Sequence, residues 1–165
     1  MKDSDDLAGQ MKQGMRHLAS GVAVVAARDE SGLPYSMTVS SITSLTDRPP
    51  SLLVCLHESS NTHGVLQRVE YFSVNLLALD QREISECCAV PADVVQSFEV
   101  GRWRDQPDTQ TPFLEDSLAV FFCRISKRIA YGAHTIVIGD IKAVQIAEQQ
   151  REPLIFCRGD YRQLS

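Results

Sequence analysis

The chain has 165 residues, with 16 Lys and Arg against 21 Asp and Glu, for a formal charge of −5 at pH 7. That length suits one domain of roughly 150 residues spanning 1–165, and 44% hydrophobic with 22% charged residues is the balance of a globular chain, not a disordered one. An acidic total excludes a basic coat that would attract nucleic acid or anionic lipid, although a local basic pocket stays open.

The start, Met1-Lys2-Asp3-Ser4-Asp5-Asp6, lacks the apolar stretch of a secretory signal. Apolar runs such as 22–27 are far too short to span a bilayer. Five cysteines (Cys55, Cys87, Cys88, Cys123 and Cys157) form no C-x-x-C pair, and the expectation is a reduced, cytoplasmic protein.

In chain order, Leu7, Met11, Met15 and Leu18 recur at helical spacing behind the carboxylates of residues 3–6, which predicts an amphipathic helix over 5–19. A β-branched run predicts a strand over 22–28, closed by Asp29-Glu30-Ser31-Gly32. Residues 33–45 read as one long strand rich in Ser and Thr, ended by Pro49-Pro50. Residues 51–57 read as a strand buried on both faces, and the three strands together predict an antiparallel meander. A short helix to about Val69, a strand over 71–77 and a helix over 80–89 capped by Asp80 follow. Cys87 and Cys88 fall at that helix's end. Residues 90–117 have the weakest periodicity and predict an excursion over the surface, in which Trp103 is either a core anchor or a lid. Strands resume over 118–129, 134–147 and 154–157, with Arg158-Gly159-Asp160 as a turn. Six or seven strands with few helices predict a mainly β fold, an antiparallel barrel with flanking short helices, not a βαβ sheet.

The chain carries no G-x-G-x-x-G, P-loop, G-x-S-x-G or H-E-x-x-H motif. Cys55, His57 and His63 lie close together, but lack the usual metal-ligand pair spacing. Nothing marks Cys55 or Cys157 as a thiol activated by His134. Two segments say more. Met37-Thr38-Val39-Ser40-Ser41 breaks strict alternation with hydroxyls; it fits either a half-exposed edge strand or a polar edge that hydrogen-bonds a flat heteroaromatic ring. Glu58-Ser59-Ser60-Asn61-Thr62-His63 opens a helix, which fits either an ordinary N-cap or a phosphate site.

Five blocks in consistent order carry a family resemblance: Arg16-His17-Leu18-Ala19-Ser20-Gly21-Val22-Ala23-Val24-Val25, the segment from Met37 to Leu45, Pro49-Pro50-Ser51-Leu52-Leu53-Val54-Cys55-Leu56 with the turn after it, Phe72-Ser73-Val74-Asn75-Leu76-Leu77, and Gly132-Ala133-His134-Thr135-Ile136-Val137 running on to Ile141. Together they resemble the flavin reductase family with the FMN-binding split β-barrel fold. The resemblance implies NAD(P)H-dependent reduction of FMN or FAD, a homodimer, and delivery of reduced flavin to a partner monooxygenase. It further implies that Met37, Thr38, Val39 and Ser40 lie along the flavin ring, with Ser41 near the ribityl chain. Cys55, Leu56 and His57 would flank the ring or its tail, Ser60, Asn61 and Thr62 would hold the phosphate, and Phe98 would cover the ring or the adenine portion. His134 matches the family's histidine near the nicotinamide site and is the expected catalytic residue. The family's Gly-Asp-His reads Gly132-Ala133-His134 here, so a flavin-binding module without turnover, a sensor or carrier on the same barrel, stays open as the alternative.

Overall fold

Ser40 and Ser41 organise the sheet. In the computed structural model, which describes residues 4–90 and 96–164, the expected strand over 33–45 is broken there. It becomes β3 (Pro34–Val39) and β4 (Ile42–Asp47). Before them come α1 (Ser4–Met15), β1 (Ser20–Gly21) and β2 (Ala23–Arg28); after them come β5 (Pro50–His57), α2 (Asn61–Leu66), β6 (Tyr71–Leu76), a 3-10 turn (Leu79–Gln81) and α3 (Arg82–Ala89). The second half holds β7 (Trp103–Asp105), β8 (Pro112–Leu114), β9 (Ala119–Tyr131), β10 (His134–Ile146), β11 (Ile155–Cys157) and β12 (Asp160–Arg162).

Seven strands form one antiparallel sheet in the order β3-β2-β6-β9-β10-β5-β4. β3 pairs with β2 and β4 with β5, so the expected three-strand meander is two hairpins at opposite edges. In a flat sheet, inter-strand steps of about 4.8 Å would hold those edges roughly 29 Å apart. The link from Val39 to Ile42 reaches at most about 11 Å, at ~3.8 Å per residue. The sheet therefore rolls up until its edges meet at the corner. Register shifts between β9 and β10 at Ile138/Gly139 and Ile141/Ala143 add to the bend.

β2 is buried on both faces, which explains its unbroken apolar run. Ala23, Val25 and Ala27 enter the core inside the roll with Val54, Leu56, Phe72, Val74 and Val137. Val22 and Val24 face a second core with Leu77, Ile84, Cys88, Leu114 and Leu154. Gly139 serves the first core: a Cβ there would stand 2.6 Å from Phe72 Cζ and 2.8 Å from Cys123 Cβ, so only glycine lets the fully buried Phe72 ring close on β10.

Further expectations are corrected. Asp80 does not cap α3: Gln81 Oε1 accepts from Ala78 N–H at 2.9 Å, while Asp80 pairs with Arg151 Nη1 at 3.1 Å. The stretch 90–117, of which 91–95 lie outside the described residues, is more than a surface excursion. Pro112 and Leu114 are buried, because Asn75 Oδ1 accepts from Leu114 N–H at 2.9 Å and Ser73 Oγ donates to Pro112 O at 2.6 Å. The last strands form a separate sheet, β1-β11-β12, where Arg158 and Gly159 make the turn with φ of 57° and 80°, a conformation suited to a two-residue hairpin. α1 ends at Met15, short of the expected 19; Leu7, Met11 and Met15 on it, and Leu18 just beyond its end, are 55–63% exposed.

Candidate active site

β5 ends at His57, and the turn after it is built around that residue. Ser59 N–H (3.1 Å) and Ser59 Oγ (2.8 Å) both meet His57 Nδ1. A backbone N–H can only donate, so Nδ1 is an acceptor and Nε2 carries the proton of the neutral ring. Ser60 Oγ donates to His57 O (3.0 Å) and accepts from His63 N–H (3.1 Å) as the N-cap of α2. The Ser60 hydroxyl is thus committed to shaping the turn. Further on, His63 Nε2 meets Thr135 Oγ1 at 2.9 Å, and Glu58 N–H donates to Ala133 O at 2.9 Å. The turn is therefore fastened to the β9–β10 hairpin at two points.

A cleft of about 220 Å³ opens against this turn, lined by Met37, His57, Ser59, Ser60, Asn61 and Thr62. The opposite wall includes Cys88, Val90 and Ser97, with Tyr35 and Ser36 on β3. No local sequence pattern marks that wall, since these positions become neighbours only when α3 packs on β3. Burial pushes the Cys88 thiol up to about 11, against the opposing hydrogen bond from Ser36 Oγ at 3.4 Å. It is a protonated wall group at neutral pH.

The remaining expected residues lie elsewhere. Ser40, Ser41 and Cys55 line a second, larger cleft of about 860 Å³, between the corner, α1 and the β11–β12 turn. There Ser41 Oγ donates to Cys55 O at 2.8 Å, and Cys55 N–H to Ser41 O at 3.1 Å. Thr38 Oγ1 donates to Ser85 O at 2.6 Å and binds α3 to β3. Val39 and Leu56, 4% and 0% exposed, are buried in the core and line neither cleft. Phe98 packs on Trp103, ring centres 4.4 Å apart, and lines neither cleft. His134 is exposed and stands opposite His57 in the β5–β10 register, the two rings 4.9 Å apart and 83° to each other.

Among the described residues no carboxylate lines either cleft, whereas Lys12, Arg16 and Arg158 line the larger one. In a chain of charge −5, such a distribution favours an anionic ligand over a cationic one. The smaller cleft falls below the roughly 300–1,000 Å³ of sites that enclose a whole small molecule. Both clefts touch β5, the smaller through His57 and the larger through Leu53 and Cys55.

A rolled antiparallel sheet with a hydroxyl-rich corner and a serine turn beside it is the FMN-binding split β-barrel. Residues 15–165 match the flavin reductase like domain, and the chain belongs to that family. It is 33% identical over 146 residues to the reductase component of 4-nitrophenol 4-monooxygenase/4-nitrocatechol 2-monooxygenase from Rhodococcus opacus, covering 88% of this chain and 75% of that one. It is 38% identical over 139 residues to the flavin reductase (NADPH) of Lentzea aerocolonigenes, covering 83% and 78%. Among solved structures, the styrene monooxygenase flavin reductase of Pseudomonas putida S12 superposes with a TM-score of 0.82 at 27% identity, over 94% of this chain and 97% of that one.

Proposed function

We propose that this protein is an NAD(P)H:flavin oxidoreductase that reduces FMN or FAD with NADH or NADPH and supplies the product to a partner monooxygenase. The observation that carries the reading is the joining of His134 to the serine turn on one rim, through the His57–His134 register pair and the Glu58–Ala133 hydrogen bond.

Hydride transfer is the chemistry that nicotinamide and flavin supply to each other when bound. The chain supplies position. Ser59, Asn61 and Thr62, with the main chain at Ser60, would hold the phosphate at the start of α2, where helix-end N–H groups favour negative charge. The main chain of residues 37–41 would run along the ring, donating hydrogen bonds where charge gathers, with Met37 and Cys55 against its faces. His134, at the open rim beside His57, would meet the nicotinamide nucleotide and orient it.

The exposed apolar residues of α1 support a homodimer: Leu7, Met11 and Met15 recur along the helix, with Leu18 just past its end, and exposed apolar residues grouped in this way mark an interface. No helix among the described residues is long and apolar enough to cross a membrane, and the reading places the protein in the cytoplasm.

The deciding experiment mixes purified protein with NADH or NADPH and excess FMN or FAD. Steady loss of the reduced-nicotinamide absorbance is expected, together with flavin binding near micromolar to tens of micromolar, roughly −7 to −8 kcal/mol. Binding without turnover would make the protein a flavin carrier or sensor; no binding in that range would sink the reading altogether.

A further inference from the structure

We infer that His57 is a positioning residue for His134: its ring sets the orientation of the neighbouring imidazole, and so couples the flavin-phosphate turn to the nicotinamide rim. This rests on the functional reading above.

Three observations carry it. First, the two rings meet edge to face, 4.9 Å apart and 83° to each other, from directly paired positions of β5 and β10. Aromatic rings prefer this arrangement because the electropositive edge of one meets the electron-rich face of the other. Second, the His57 ring is not free to turn, since Ser59 N–H and Oγ hold its Nδ1 at 3.1 and 2.8 Å. Third, no hydrogen bond among the described residues orients the exposed His134 imidazole, and its neighbour Ala133 has no polar side chain to offer. What fixes its direction is the ring across the ladder.

The consequence is a chain of contacts from Ser59, at the phosphate cleft, through His57 to His134. Anything that tightens the turn at Ser59 steadies His57, and through it the group that meets the nicotinamide. His57 need not touch the transferred hydride to matter. The backbone beneath is rigid enough to transmit this, because His134 pairs on one side with His57 and on the other with Tyr131.

Two substitutions separate the roles. His57→Asn leaves an acceptor close to the place of Nδ1, so the Ser59 turn keeps its bond, but removes the ring. His57→Phe keeps a ring against His134 and removes the acceptor. The readouts are the His134 imidazole signals in ¹H–¹⁵N NMR of the flavin-free protein, the flavin Kd by fluorescence, and KM and kcat for NADH or NADPH at saturating flavin.

For His57→Asn, the expected result is a displaced and averaged His134 signal, a flavin Kd within about twofold of wild type, and a nicotinamide KM raised about five- to tenfold with kcat within about threefold. For His57→Phe, which keeps the ring but frees it from Ser59, the His134 signal and the nicotinamide KM should fall between those of wild type and His57→Asn, while flavin binding weakens. In a His134→Ala background, His57→Asn should raise KM no further, because the two residues act as one unit. The inference is overturned if His57→Asn leaves both the His134 signal and KM unchanged. It is also overturned if its full KM effect persists without His134, or if both variants weaken flavin and nicotinamide alike. A wild-type protein that binds flavin without oxidising NADH or NADPH would instead overturn the functional reading itself, and this role with it.

Discussion

The main-chain N–H of Leu114 donates to Asn75 Oδ1 at 2.9 Å, so the β7–β8 hairpin hangs from a side chain in the middle of the rolled sheet. The same amide donates through Nδ2 to Val24 O at 2.9 Å and Ser73 Oγ at 3.0 Å. Asn75 is fully buried, so none of these bonds can be replaced by bulk water. Each buried polar group left unpaired costs about 1–3 kcal/mol. Asn75→Ala should therefore lower unfolding stability by roughly 2–4 kcal/mol. Urea unfolding checks this; a loss under ~0.5 kcal/mol would mean that the hairpin is held by something else.

Gly139 is the second stability test. Gly139→Ala puts a methyl group against Phe72 and Cys123, in a core with no slack, and should cost about 1–3 kcal/mol by overpacking. Adding Phe72→Leu should recover part of the loss, and the thermal midpoints of the three variants read this out. No recovery would place the strain in the backbone of β10 instead.

His134 tests the chemistry. His134→Ala should lower kcat/KM for NADH or NADPH about tenfold or more, equivalent to roughly 1.4 kcal/mol. Flavin affinity should stay within about twofold, because the serine turn is intact. A loss of about twofold or less in kcat/KM would remove His134 from the mechanism.

Two thiols predict the alkaline limb of stability. Burial pushes Cys88 up to about 11 and Cys123 up to about 12, from an ordinary 9.0. Both thiols stay protonated in the fold at pH values where the unfolded chain has begun to lose its protons. Stability from this source is fully present below pH 9 and declines as pH rises toward 11 and 12. Urea midpoints of wild type and Cys123→Ala between pH 7 and 10.5 should converge as pH rises. Parallel curves would contradict the assignment.

Much of the fold is legible in local sequence. The unbroken apolar run of β2, the Tyr71–Leu76 strand and the Ser60-capped α2 are set by neighbours along the chain. The corner was not, because Ser40-Ser41 contains neither Gly nor Pro, and a hydroxyl-rich strand looks the same whether it runs straight or turns. Asp80 misled because a carboxylate before a helix reads as a cap, while the amide one residue later had the better reach. At the site, Met37, His57, Ser60, Asn61 and Thr62 do gather round one cleft, since β3 and the turn after β5 come together there. Thr38 and Phe98 found partners in α3 and Trp103 that only tertiary packing could provide. Cys88 and Ser97 joined the wall for the same reason.

The two-residue corner has one more consequence. Between β3 and β4 the circumference of the barrel is bridged by covalent chain, with no ladder beside it among the described residues. A circular permutant opened between Ser40 and Ser41 would keep every inter-strand ladder, yet lose the tether that curls the sheet. Two long margins would be left bare, each a template for stacking onto a neighbouring molecule. The roundness of this protein is thus owed to how its strands are strung together.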